Sequence, residues 1–237
     1  MDEHFQTAPA NKNIPVLMSL LDIWNQQFLQ INTLAILPYD VRLNHFPAYL
    51  QQLMMESNGK SVDREGNVLN VPSSQIVFGD VGTNAQHSFF QLLHQGTQNI
   101  SCDFIGVVKP AHNNQQQHDM LHANMIAQSQ ALMQGQTLQE VGEDKNAKHK
   151  VFSGNRVSNT IFLKELNAHS LGMLIAMYEH RTFVQGILLN INSFDQMGVE
   201  LGKRLANNLL GKLSNKDSVT DEDSSTNGLI EFYKNNK

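Results

Sequence analysis

The sequence is short of several things, and each shortage removes a class of protein. Cys102 is the only cysteine in 237 residues, so no internal disulfide forms and a reducing compartment fits. At the start of an apolar run it reads as a small buried hydrophobe rather than a nucleophile. No apolar run approaches the roughly 20 residues of a membrane span, and Leu171 to Met177 is far too short. Basic residues number 17 against 22 acidic ones, for a formal charge of −5. That balance speaks against a general nucleic-acid surface. Met1-Asp2-Glu3-His4 is acidic where a secretory leader is basic, so the expected location is the cytoplasm, with neither membrane nor nucleic acid as partner. There is no Gly-x-Ser-x-Gly elbow, no Gly-Lys-Ser/Thr loop and no dinucleotide fingerprint.

What is present suits a packed domain. The apolar fraction of 41% supplies a core. Asn13 as N-cap and Pro15 in the first turn predict a helix over Pro15 to Leu29, with Val16, Leu17, Leu20, Leu21, Trp24 and Phe28 at helical spacing. Thr33–Leu37, Gln75–Phe78, Phe104–Val108 and Thr160–Leu163 read as strands, and Val151-Phe152 as a short one before the turn at Ser153-Gly154-Asn155. Helices are expected at Asp40–Met55, Ala85–Gln95, about Gln115–Met133 and Leu171–Val184. Gln136–His149 reads as a polar connection, Asp217–Thr226 as an exposed acidic loop, and Leu229–Tyr233 as a terminal helix. Alternating strands and helices predict an α/β fold, a three-layer sandwich with a mainly parallel sheet covered on both faces. Such sheets bind ligands beyond the carboxyl ends of their strands, which points to the loops after Phe78, Val108 and Asn155.

Five places carry groups suited to chemistry. Gln52 and Glu56 are four apart, so an amide and a carboxylate share a helix face, either as a proton-moving pair or as a solvated helix end. His87 is expected in the first turn of the 85–95 helix, where positive potential favours a neutral ring, or else it is an incidental polar residue near a cap. His118 and His122 have i, i+4 metal-ligand spacing with His112 near, but no third ligand is placed, and no metal is expected. Ser153-Gly154-Asn155-Arg156 reads equally as an anion cradle or as a turn with a structural arginine. Between Gly186 and Lys203, Gln196 and Lys203 are seven residues apart, two helical turns, so both suit one oxygen-rich anionic ligand.

Met55-Glu56-Ser57-Asn58-Gly59-Lys60, Gly82 to His87 with Gln91 to Thr97, Met177 to Arg181 within Ser170–Gln185, Gly186–Lys203 and Ser224–Ile230 together resemble glucose-6-phosphate isomerase (phosphoglucose isomerase). The motifs come in the family's order along the whole chain. The resemblance implies an aldose–ketose isomerase of glycolysis and gluconeogenesis that interconverts glucose 6-phosphate and fructose 6-phosphate without metal or organic cofactor. It implies catalytic roles for Glu56 as proton shuttle, His87 in ring opening within the neighbouring subunit of a homodimer, and Lys203 near the ring oxygen. Gln52 and Gln196 match substrate-binding glutamines. Ala85 stands where the family usually has glycine, Asp80-Val81 replace a common Glu-Pro, and Phe78 replaces a common Trp. The match is to the C-terminal portion only: a sugar-isomerase-type subdomain over 1–212 and a loop and terminal helix over 213–237. The Gly-Gly-Ser loop, the Ser/Thr-rich phosphate cradle and the Gly-Gly-Arg arginine of the family's N-terminal subdomain have no match. A noncatalytic fragment or sugar-phosphate-binding module is the alternative.

Overall fold

The computed structural model describes every residue except 144 and 216–219. The chain runs through α1 (Asp2–Thr7), α2 (Ile14–Gln27), β1 (Thr33–Pro38), α3 (Phe46–Leu50), β2 (Ile76–Gly79), α4 (Gly82–Gln86), α5 (Phe90–Gln95) and β3 (Ser101–Val107). It continues through α6 (Gln115–Gln134), α7 (Leu138–Val141), β4 (Ser158–Leu163), α8 (Ala168–Leu188), α9 (Glu200–Ser214) and α10 (Ser224–Asn235). After Leu50 the α3 helix widens into a π-helical turn, Gln51–Glu56.

The four strands form one all-parallel sheet in the order β2-β1-β3-β4. β1 is central because it is apolar on both faces. Leu34 and Ile36 join Val77 and Ile105 in a core closed by Met18, Phe46, Leu50, Leu174 and Met177 of α2, α3 and α8. Ala35 and Leu37 join Cys102 and Phe104 on the other face, under Phe90, Leu93, Met125 and Leu132 of α5 and α6. Helices therefore cover both faces, as parallel sheets require.

Two compact units divide at 194/195. The division falls earlier than the 212/213 boundary read from sequence, and α9 groups with α10 in the second unit. Within that unit Lys212 at the end of α9 pairs with Asp221 and Glu222, 2.6 and 2.5 Å away, just before α10. Part of the expected acidic loop, 217–219, lies outside the described residues, and α10 already begins at Ser224.

Three local expectations change. The 85–95 helix is two short helices, interrupted between His87 and Phe89, where Phe89 takes φ −135°. Val151-Phe152 forms only a single bridge, Gln136 to Phe152, because Gly154 and Asn155 turn the chain at φ 61° and 50°. The third concerns α2. Its predicted apolar stripe faces water, with Leu17, Leu20, Leu21, Trp24 and Phe28 between 38 and 65% exposed. Its buried face is Pro15, Met18, Ser19, Asp22, Asn25 and Gln26.

Candidate active site

Glu56 is placed by a rigid turn. It ends the π-helical segment, and Lys60 Nζ closes that end by donating to the carbonyls of Glu56 and Ser57 at 2.9 and 2.6 Å. Gly59 is obligatory, since a Cβ there would lie 2.4 Å from the Met55 carbonyl oxygen. Asn58 is fully buried and donates to Thr182 O and Gln185 Oε1 of α8 at 2.9 and 3.2 Å. Its carbonyl oxygen accepts from Ser193 Oγ at 2.6 Å. Gly186 leaves the space for that serine, because a Cβ would sit 1.8 Å from Ser193 Oγ. Glu56 itself is half-buried and Gln52 is exposed.

This turn lies at the amino ends of the strands. Ser74 Oγ, just before β2, donates to Met54 O at 3.3 Å, and Val77 N–H donates to Met55 Sδ at 3.3 Å. His87 lies at the opposite edge. It follows β2 through α4, whose Gln86 Nε2 donates to Tyr39 Oη at 3.1 Å, just past the carboxyl end of β1. The strands between the two edges are four to seven residues long, on the order of 13–23 Å at about 3.3 Å per residue. Glu56 and His87 of one chain therefore do not meet.

His87 is exposed and sits at the C-terminal end of α4, not in the first turn of a longer helix. The expected positive potential of a helix N-terminus is accordingly absent at this position. Gln196 and Lys203 belong to the second unit. Gln196 is exposed and caps a single 3₁₀ turn. Lys203 is exposed on α9 and pairs with Glu200 at 2.7 Å.

Other candidates take structural positions. The Arg156 guanidinium donates to Gln98 O, Asn99 Oδ1 and Gly96 O at 2.7, 2.6 and 2.7 Å, tying down the loop between α5 and β3. Of its two readings the structural one is observed. His118 is buried with Nε2 2.9 Å from Val108 O, and His122 Nδ1 lies 3.1 Å from His118 O. Cys102 is buried, and burial holds its thiol far above the usual range. A cavity of about 300 Å³ opens at the carboxyl ends of β1 to β3, lined by Tyr39, Asp40, Arg42, Thr83, Asn84 and His112 among others. The loops after β2 and β3 thus do frame a cleft, but Asn155 precedes β4 and frames none there. The departures near His87 are filled by packing: Phe78 meets Phe89 edge-on at 5.0 Å, and Ala85 is fully buried.

Sequence reasoning missed a buried ionic cluster. Arg181 of α8 bonds both carboxylate oxygens of Asp22, at 2.5 Å, and Asp103 at 2.6 Å. Tyr178 donates to Asp103 at 2.9 Å, and Gln185 Nε2 donates to Asp22 at 2.5 Å. All three charged side chains are at most 2% exposed. Burial pushes Asp22 above the usual carboxylate range, against the pull of Arg181, while the two carboxylates hold Arg181 protonated. The signal was legible: a lone Asp inside the apolar strand 101–107 demands a cationic partner. Through Gln185 and Asn58 the cluster is joined to the Glu56 turn.

The architecture defines an open parallel α/β protein with a polar, hydrogen-bonded turn at one sheet edge and a cleft at the other. The family model for phosphoglucose isomerase matches residues 1–230. The chain is 52% identical over 246 aligned residues to the glucose-6-phosphate isomerase of Chlorobium phaeobacteroides, covering 99% of this chain and 44% of that protein. It is 50% identical to that of Chlorobium luteolum, over 99% and 45%. A crystal structure of a glucose-6-phosphate isomerase from Chlamydia trachomatis superposes with TM-score 0.83 at 39% identity, over 100% of this chain and 44% of that one. The chain belongs to the phosphoglucose isomerase family, and spans less than half the length of these relatives, their C-terminal portion.

Proposed function

We propose that this chain supplies the C-terminal share of an aldose–ketose isomerase site that interconverts glucose 6-phosphate and fructose 6-phosphate, as in glycolysis and gluconeogenesis. Glu56 is the base. Its carboxylate takes the proton from C2 of the open-chain aldose, giving a cis-enediolate, and returns it to C1 while the hydroxyl proton passes from O2 to O1, giving the ketose. Gln52 and Gln196 hold substrate hydroxyls, and Lys203 stands by the ring and C1 oxygens. His87 serves ring opening in the site of a second copy, which its place at the far edge from Glu56 supports. The protein acts in the cytoplasm as a homodimer, without metal or organic cofactor.

The observation that carries this reading is the Glu56 turn. A half-buried carboxylate ends a π-helical segment, a feature frequent at functional sites, and Asn58 locks the turn to α8 and Ser193. A base that must reach two adjacent carbons needs such fixed placement. The test is Glu56→Gln in a polypeptide completed with the N-terminal portion of a relative. Turnover is expected to fall by roughly two to four orders of magnitude, with a parallel loss of proton exchange between substrate C2 and solvent. Near-normal exchange would remove Glu56 from the role of base.

A further inference from the structure

Within this chain the Glu56 carboxylate is aimed by backbone alone. Among the described residues no hydrogen bond or ion pair holds that carboxylate, so its direction follows the turn that it ends. Two residues on, Asn58 anchors the turn, and the sense of each of its bonds is fixed. Thr182 O can only accept, so Asn58 Nδ2 faces α8 and Asn58 Oδ1 faces Ser193 Oγ. On the α8 side the pattern runs further inward. Arg181 can only donate, so both Asp22 oxygens accept. Asp22 Oδ2 also accepts from Gln185 Nε2, which turns Gln185 Oε1 toward Asn58 Nδ2. The bonds form a directional relay from Arg181 through Asp22 and Gln185 to Asn58. Either amide, if flipped, would set oxygen against oxygen. All four side chains are at most 5% exposed.

We propose that Asn58 and Gln185 are positioning residues for the isomerisation: from the fixed Arg181–Asp22 pair they hold the Glu56 carboxylate within reach of both C1 and C2. This role rests on the isomerase reading above. Stability alone does not account for the relay. Apolar side chains of similar volume often fill such a space with equal or greater stability than buried amides and an ion pair. What a fully satisfied polar network adds is a single geometry. The relay also ends where geometry matters most. The proton leaves one carbon and returns to its neighbour, about 1.5 Å away, so a carboxylate that wanders serves one carbon at the expense of the other. Lys60 and Ser74 bond the turn to segments near it in sequence. Asn58 instead ties it to α8, 124 residues further along the chain at Thr182.

Gln185→Met keeps the side-chain volume, removes both relay bonds and leaves Asp22 paired with Arg181. It is measured in the polypeptide completed with the N-terminal portion of the Chlorobium phaeobacteroides isomerase, on glucose 6-phosphate deuterated at C2. The kcat is expected to fall roughly ten- to a hundredfold with KM changed by no more than about twofold. A smaller fraction of the deuterium is expected to be carried to C1 rather than lost to water. Ser193→Ala releases Asn58 from its other side, in a half-buried loop, and is expected to move the same quantities less. Ser19→Ala is the control, since it removes bonds to Pro15 O and Arg181 O in the α2–α8 contact without touching a relay side chain. It is expected to lower the unfolding midpoint and leave kcat and the deuterium fraction at parental values. If Gln185→Met does not fold, Ser193→Ala decides. Parental kcat and deuterium fraction in the folded relay variants overturn the proposal. So does a Ser19→Ala protein whose deuterium fraction falls as far as theirs, because the network then serves stability only. The isomerase reading fails on a different result, a Glu56→Gln polypeptide that still exchanges the C2 proton, and the relay's role would fall with it.

Discussion

At the scale of single residues, Arg181 matters most to the fold. It is fully buried and satisfies two carboxylates at once. Arg181→Met keeps the aliphatic volume but strands Asp22 and Asp103 in the core. Leaving buried charge without its partner costs about 3–5 kcal/mol, so denaturant unfolding is expected to show a loss of that size or no folded protein. Asp22 makes a second prediction, on pH. Its folded-state pKa lies above the unfolded value because burial favours the neutral acid. A raised pKa contributes stability that is complete below the unfolded value, near 3.8, and is lost as pH rises through the folded value. Asp22→Asn removes that ionisation. Relative to the parent, the variant is expected to gain stability as pH rises above about 4, measured by urea unfolding at each pH. A constant difference would show that the folded-state pKa of Asp22 is not raised.

At the scale of elements, the decisive joint lies between the Glu56 turn and the end of α8. Asn58 meets Gln185 and Ser193, more than 120 residues further along the chain, in one linked set of bonds. Gly186 is the hinge of that set. Gly186→Ala places a methyl where Ser193 Oγ now sits. Overpacking of this kind costs roughly 1–3 kcal/mol, and the expected signature is faster proteolysis within 189–194 with α2 and β1 still protected in hydrogen exchange. A variant as protease-resistant as the parent would show that the joint yields easily. The α4–α5 interruption teaches the same lesson in reverse. Helical spacing over 85–95 was real, yet Phe89 turns to meet Phe78 and the helix breaks. Core packing outweighed local propensity, whose differences are only tenths of a kcal/mol per residue.

At the scale of the whole molecule, the chain holds one α/β body and a helical second unit. Among the described residues no helix is long and apolar enough to cross a membrane. The chain by itself is expected to show little or no isomerase activity in a coupled assay. On the proposed reading, remote binding energy from phosphate contacts positions the reacting carbons against the base, and this chain spans less than half the length of the relatives it matches. Turnover comparable with an intact isomerase would overturn that expectation.

The sequence by itself determined the strands, their alternation with helices, and hence the parallel sheet, because apolar runs bounded by turns leave little choice about what is buried. It also determined the family, through long motifs such as Met55–Lys60 whose residue types and order are specific. Tertiary structure alone decided which face of α2 is inside. Periodicity reports that a helix has an apolar stripe, but not what covers it, and here a buried Arg181 claimed the polar side. It also decided that Arg156 braces a loop and that Glu56 and His87 stand at opposite sheet edges. Those outcomes depend on where distant segments meet, a distance that spacing along one chain does not encode.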